Sequence, residues 1–354
     1  MKNIDNPNLE NGEIQTDLGL ESFSIGNRRY LGSKTKLLDQ IQLAITSHLG
    51  RVPKTFMDPF SGSGVVAARF ADLGSSVIAS DLLKHNTDAI ESFLNHAAFD
   101  RAAAESHILE MSKLPPYDGY VSNIFGGKYF SAGNAMAIDA AREYIEAEIN
   151  SGPLARAALT SLIYAADKVA QTVGHYDAFF AKGKIDKQLA FRIPTKAGSG
   201  SGHLVLTEDA NEVVRTRSAE VLYLDPPYNS RQYGDAYHVL ENISRWEKPE
   251  VFGIAQKMNR SAMKSKYSTK AATLAFRELI ENADTDLIVL SYSNTGISRA
   301  SRSNNVLTDE DIVESLSNKG RLVVHDINFK EFSVGKTSIR DHKERLFVCE
   351  VGKK

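Results

Sequence analysis

The chain has 354 residues, 42% of them hydrophobic and 24% charged, with 24 glycines and 10 prolines. That is enough chain for about two domains, and too much apolar content with too little Gly and Pro for a fibrous, low-complexity or wholly disordered protein. The single cysteine, Cys349, allows no internal disulfide, and no Cys/His cluster has zinc spacing, so a stapled secreted fold and a structural zinc site are excluded. With a formal net charge of −2, a nucleic-acid partner would have to be met by locally concentrated cations. Residues 1–24 are polar, without periodicity or an apolar h-region, and no window approaches the roughly 18 apolar residues of a membrane span. A solvated tail is expected there, with no signal peptide or anchor, and a reducing cytoplasm as the setting.

Leu37, Leu38, Ile41 and Ile45 recur at helical spacing, which predicts a helix directly after the turn Gly32-Ser33-Lys34. Short apolar runs bounded by turn residues predict buried strands at 55–57, 76–79, 203–206, 221–224, 287–291, 321–325 and 346–351. Helical patterns lie between most of them, so the expected fold is α/β, a doubly wound, mostly parallel, Rossmann-like sheet with its ligands at the C-terminal ends of the strands. The gap 84–202 is too long for a crossover and has its own helical patterns at 135–149 and 154–170. It reads as an inserted, mainly helical domain, interrupting a domain built from 25–83 and 203–354. Its exit holds Lys182, Lys184, Lys187, Arg192 and Lys196 against one acid, Asp186, then a flexible Gly/Ser run.

The first strand runs into Asp58-Pro59-Phe60-Ser61-Gly62-Ser63-Gly64, a glycine turn opening a helix. Its backbone can approach a ligand closely and offers free N–H groups. Asp81, at the end of the second strand, stands where a carboxylate can accept from both hydroxyls of a ribose. These features alone fit NAD and S-adenosylmethionine equally. Asp225-Pro226-Pro227-Tyr228 follows an apolar strand and sets an acid, a carbonyl and an aromatic ring at a strand C-terminal edge. That combination suits an exocyclic amine. Two acceptors, Asp225 and the Pro226 carbonyl, would hold its N–H groups and shift nitrogen toward tetrahedral geometry, with Tyr228 stacking on an extruded base. Carbon-five cytosine methylation is excluded, since Cys349 lies in a terminal strand with no Pro-Cys pair.

With Arg29-Tyr30-Leu31-Gly32-Ser33-Lys34-Thr35-Lys36, Asp58 to Gly64, and Asp225 to Tyr228 in this order, the chain resembles the Dam-like alpha group of N6-adenine DNA methyltransferases over about residues 25–350. The resemblance implies a fold that binds S-adenosylmethionine, an insertion that recognises the target, and methylation of a flipped-out adenine in double-stranded DNA. Segments 174–179 and 229–233 resemble methylases that accompany type II restriction endonucleases, which implies a cognate endonuclease acting separately. By the same resemblance, Tyr30, Gly32 and Lys34 wrap the methionine end of the cofactor and Asp209 meets its adenine amino group; a helix N-cap is the other reading of Asp209. Lys257, Arg260, Lys264, Lys266 and Lys270 lie in an acid-free stretch and, with Lys184, read as phosphate-facing. Arg231 is placed to touch DNA beside the target, and His175 to read bases or to pack in a loop. Methylation of RNA adenine or of the cytosine amine are the rival reactions; an NAD-dependent oxidoreductase is a third, with no use for Asp225 to Tyr228. A monomer suffices for such an enzyme.

Overall fold

The computed structural model describes residues 19–96, 100–180, 187–198, 202–293, 307–328 and 343–352. Residues 1–18, Lys182, Lys184, Asp186 and Asn294 lie outside the described residues. In chain order the first half contains α1 (Leu38–Leu49), β1 (Thr55–Asp58), α2 (Val65–Asp72), β2 (Ser76–Ser80) and α3 (Lys84–Leu94), then α4 (Arg101–Met111), α5 (Tyr120–Phe125), α6 (Ala132–Tyr144) and α7 (Gly152–Val169). The second half contains β3 (Leu204–Leu206), α8 (Ala210–Thr216), β4 (Val221–Leu224), α9 (Tyr233–Ala236), α10 (His238–Arg245), α11 (Ala272–Asn282), β5 (Leu287–Ser293), α12 (Asp309–Lys319), β6 (Gly320–Asn328) and β7 (Lys343–Val351). The strands form one seven-stranded sheet in the order β3-β2-β1-β4-β5-β7-β6. Pairing is parallel from β3 through β5, and β7 runs antiparallel to both its neighbours.

Helices cover both faces, so the central strands are apolar without interruption: all four residues of β4 are buried. Alternate side chains still separate into two cores, as the pleat requires. Phe56, Val77, Val221, Tyr223 and Val289 point into one, and Met57, Leu222, Leu224, Ile288 and Leu290 into the other. The first core continues without a break into 84–170. There α3 contributes Ile90, Phe93 and Leu94 against β2 and β3, α7 packs on α3, and Ile108, Val121, Ile138 and Leu162 extend the same apolar cluster. The predicted helix 135–149 is α6 with a π-helical continuation, Ile145–Ile149. Strands β6 and β7 are longer than their apolar runs, with register held out to Asn328 opposite Lys343. Ladder hydrogen bonds, rather than burial, carry these ends. Among the described residues, no helix is long and apolar enough to cross a membrane.

Candidate active site

Chain connectivity reverses between β1 and β4, which are adjacent and parallel, the former leading to β2 and the latter on to β5. A crevice must open at the C-terminal ends of strands where this happens. A cleft lies there. Tyr30, Gly32, Lys34, Asp58, Phe60, Gly62, Asp81, Asp209 and Asp225 all border it, together with Pro227. Gly64 stands back from the cleft: a Cβ there would lie 2.6 Å from Ile90 and 2.8 Å from Ile25. Its role is close packing of α2 on its neighbours.

One half of the cleft is bordered by Asp81, Asp209 and Phe60. The Asp81 carboxylate accepts from the Gly62 N–H at 2.9 Å, the Leu83 N–H at 2.8 Å and Asn86 Nδ2 at 3.1 Å, which fixes its orientation toward the cleft. Asn86, one turn into α3, also donates to the Tyr30 hydroxyl at 3.0 Å and accepts from buried Arg28 at 3.1 Å. Spacing along the chain gave no reason to single out Asn86 or Arg28. Asp209 caps α8 through the Asn211 N–H at 3.1 Å and also borders the cleft. Beside it the Phe60 ring meets Tyr267 edge to face, centroids 4.9 Å apart.

The other half is polar and buried. Asp225, 18% exposed, lies 2.9 Å from the ammonium of Lys34, which is 5% exposed. The Tyr228 hydroxyl bonds to both, and its ring meets Tyr292 edge to face at 5.0 Å. Tyr228 is thus seated on Asp225 through its hydroxyl, and Pro226 is buried. A residue from the last strand joins them: Glu344 Oε1 is 3.1 Å from Lys34 Nζ and 3.2 Å from the Tyr228 hydroxyl. Nothing local in the sequence marked Glu344. Burial lifts the Asp225 carboxyl above the ordinary carboxylate value against the pull of Lys34. Burial and the nearby Asp225 charge lift Asp58 well above it. Burial alone would lower the Lys34 ammonium, yet Asp225 and Glu344 hold it above the usual lysine value.

The predicted DNA-facing cations divide into two groups. Lys264 and Lys266 are exposed. Lys257 and Arg260 lie in a stretch without acids, but the fold brings acids to them: Lys257 is 3.0 Å from Asp177 and 3.4 Å from Asp235, and Arg260 is 2.5 Å from Asp235. Arg231 and His175 also face Asp177, each at 3.7 Å. Carboxylates from 174–180 and α9 thus face Lys257 and Arg260 within the fold. Tyr176 is fully buried, its hydroxyl on Asp167 at 3.1 Å, and packs in the core.

Residues 30–304 match the family described as D12 class N6 adenine-specific DNA methyltransferase. The chain is 31% identical over 329 residues to the type II methyltransferase M.NlaIII of Neisseria lactamica, covering 89% of this chain and 95% of that protein. It is 30% identical to the type II methyltransferase M.CviAII of Paramecium bursaria Chlorella virus 1, covering 91% and 98%. To the modification methylase StsI of Streptococcus sanguinis it is 32% identical over 79% of this chain, and it spans 46% of that longer protein. An NAD-dependent oxidoreductase is thereby set aside. A glycine turn, Asp81 and the strand end at Asp225, brought together at one switch point, agree with these similarities, and the chain belongs to the D12 class of N6 adenine-specific DNA methyltransferases.

Proposed function

We propose that the protein transfers a methyl group from S-adenosylmethionine to the exocyclic amine of an adenine flipped out of double-stranded DNA, as the modification half of a restriction-modification system. The observation that carries this reading is the meeting of Asp225 with the glycine turn and Asp81 in one cleft. The residues present suit the cofactor: Asp58, Asp81, Asp209 and Asp225 border the cleft against Lys34, an acid excess that favours a ligand of net positive charge. When bound, S-adenosylmethionine supplies an electrophilic methyl group whose bond to sulfur breaks as the bond to the amine nitrogen forms, one proton leaving to water. Asp81 would hold the ribose hydroxyls, Phe60 and Tyr267 the adenine, and Tyr30 with Gly32 the methionine end. Asp225 and the Pro226 carbonyl would accept the N–H groups of the target amine, so rate comes from positioning and oriented acceptors with no covalent enzyme intermediate.

Segment 84–202 is read as the target-recognition region, with Arg231, Lys264, Lys266 and the Lys184 segment on phosphates and His175 near the bases. A cognate endonuclease acting separately, a monomeric enzyme and a cytoplasmic setting complete the reading. It is tested by incubation with labelled S-adenosylmethionine and mixed duplex DNA, followed by mass spectrometry of the nucleosides. N6-methyladenine from the wild type and none from Asp225→Ala, with cofactor binding retained, is the expected result. Cofactor binding without any methylated nucleoside would overturn it.

A further inference from the structure

Donor and acceptor counting around Lys34 exposes a surplus. Its ammonium has three protons, and four acceptors surround it: Asp225 Oδ1 at 2.9 Å, Glu344 Oε1 at 3.1 Å, the Gly32 carbonyl at 3.3 Å and the Tyr228 hydroxyl. The Tyr228 hydroxyl has one proton and faces two carboxylate oxygens, Asp225 Oδ1 and Glu344 Oε1. Both donors that grip Asp225 therefore also grip Glu344, and Ser291 Oγ donates to Glu344 Oε1 at 3.3 Å from β5. Glu344 is 12% exposed, so its charge is poorly screened by water.

The electrostatics give this arrangement a purpose. Lys34 and Asp225 by themselves would make a neutral pair, and a carboxylate neutralised by an ammonium is a weaker acceptor for an incoming N–H. With Glu344 on the same ammonium, the cluster of two carboxylates and one cation has a net charge of −1. Positive charge develops on the amine nitrogen as the new bond forms, and a net anionic site stabilises it. Meanwhile Lys34 and Tyr228 both hold Asp225 by Oδ1, and neither of these contacts uses Oδ2.

We propose that Glu344 is a positioning residue for methyl transfer: it shares the Lys34 ammonium with Asp225, so that the group facing the target amine carries a net negative charge. This rests on the methyltransferase reading above. Glu344→Gln preserves size and an acceptor oxygen but removes the charge, so a packing role would be little affected. The expected result is a kcat lowered about 10- to 100-fold, with KM for S-adenosylmethionine and the affinity for duplex DNA within about threefold of wild type. In a Lys34→Met background the same change should cost less than about twofold, because the cation it balances is gone. Equal losses in both backgrounds, or a wild-type kcat for Glu344→Gln, overturn the assignment. If Glu344→Gln does not fold, Glu344→Asp, whose carboxylate is drawn back from Lys34, is read by the same split, and wild-type kcat there overturns it too. Wild-type enzyme and Asp225→Ala run alongside: absence of methylation by the wild type is a failure of the methyltransferase reading, whereas wild-type turnover with an indifferent residue 344 is a failure of this assignment alone.

Discussion

Gly62 turns the chain at φ +50°, and a Cβ there would come 2.8 Å from Cε1 of Tyr30. The ring has little room to yield, since it stacks on Tyr237 at 4.8 Å and 6° and its hydroxyl is held by Asn86. Gly62→Ala is therefore strained in its backbone and displaces a wall of the cleft. Calorimetric titration should show S-adenosylmethionine binding weakened by roughly tenfold, about 1.4 kcal/mol; unchanged affinity would mean that Tyr30 does not wall the cofactor. The glycines, Asp81 and Asp225 were legible in the sequence because each stands at a fixed offset from a strand end. Asn86 and Glu344 were not, since a polar residue in a helix or at a strand end has the same appearance whether or not the fold turns it onto a residue of the cleft.

At the scale of elements, α3 has no side-chain cap of its own at Leu83. Its free N–H groups are satisfied across the core by Glu241 of α10, which accepts from Lys84 N at 3.0 Å and His85 N at 3.1 Å, and also from His85 Nδ1 at 2.8 Å and Arg245 Nε at 2.6 Å. Among the described residues, buried His85 Nε2 has no hydrogen-bond partner, so protonation would strand an N–H. Burial first, then the Arg28 charge, push His85 down to about 4, while its bonds to His85 and the Arg245 charge hold Glu241 at about 2 against burial. Both values are depressed, so the unfolded chain takes up protons first and stability falls with pH. Between pH 6.5 and about 4 the loss belongs to His85; below pH 4.5 Glu241 adds to it as it is protonated toward about 2. Calorimetric Tm values across this range should show the slope, and His85→Gln should flatten its upper part. Glu241→Gln should cost about 3 kcal/mol at neutral pH, because it leaves buried donors unpaired; a melting temperature equal to wild type would remove Glu241 from this role.

For the whole molecule, Asp177 and Asp235 join 174–180, α9 and the loop that follows α10 through Lys257, Arg260 and Arg231. Phosphates binding on this side compete with those carboxylates. Asp177→Asn should tighten duplex binding several-fold at 50 mM salt and steepen the slope of log K against log salt by about 1, as read by fluorescence anisotropy; an unchanged slope would show that Lys257 and Arg231 contact no phosphate. What the sequence by itself determined was the alternation of strands and helices, the glycine turn, the acid at the end of the second strand and the Asp-Pro-Pro-Tyr edge. Those depend on periodicity and on offsets between covalent neighbours, which survive in one dimension. Only the tertiary structure decided that Lys34 lies on Asp225, that Glu344 reaches both from the last strand, that Glu241 caps α3 and that Asp177 neutralises Lys257. Hydrogen bonds and ion pairs act over a few ångströms, so partners far apart along the chain meet only when the sheet order and the two cores bring them together.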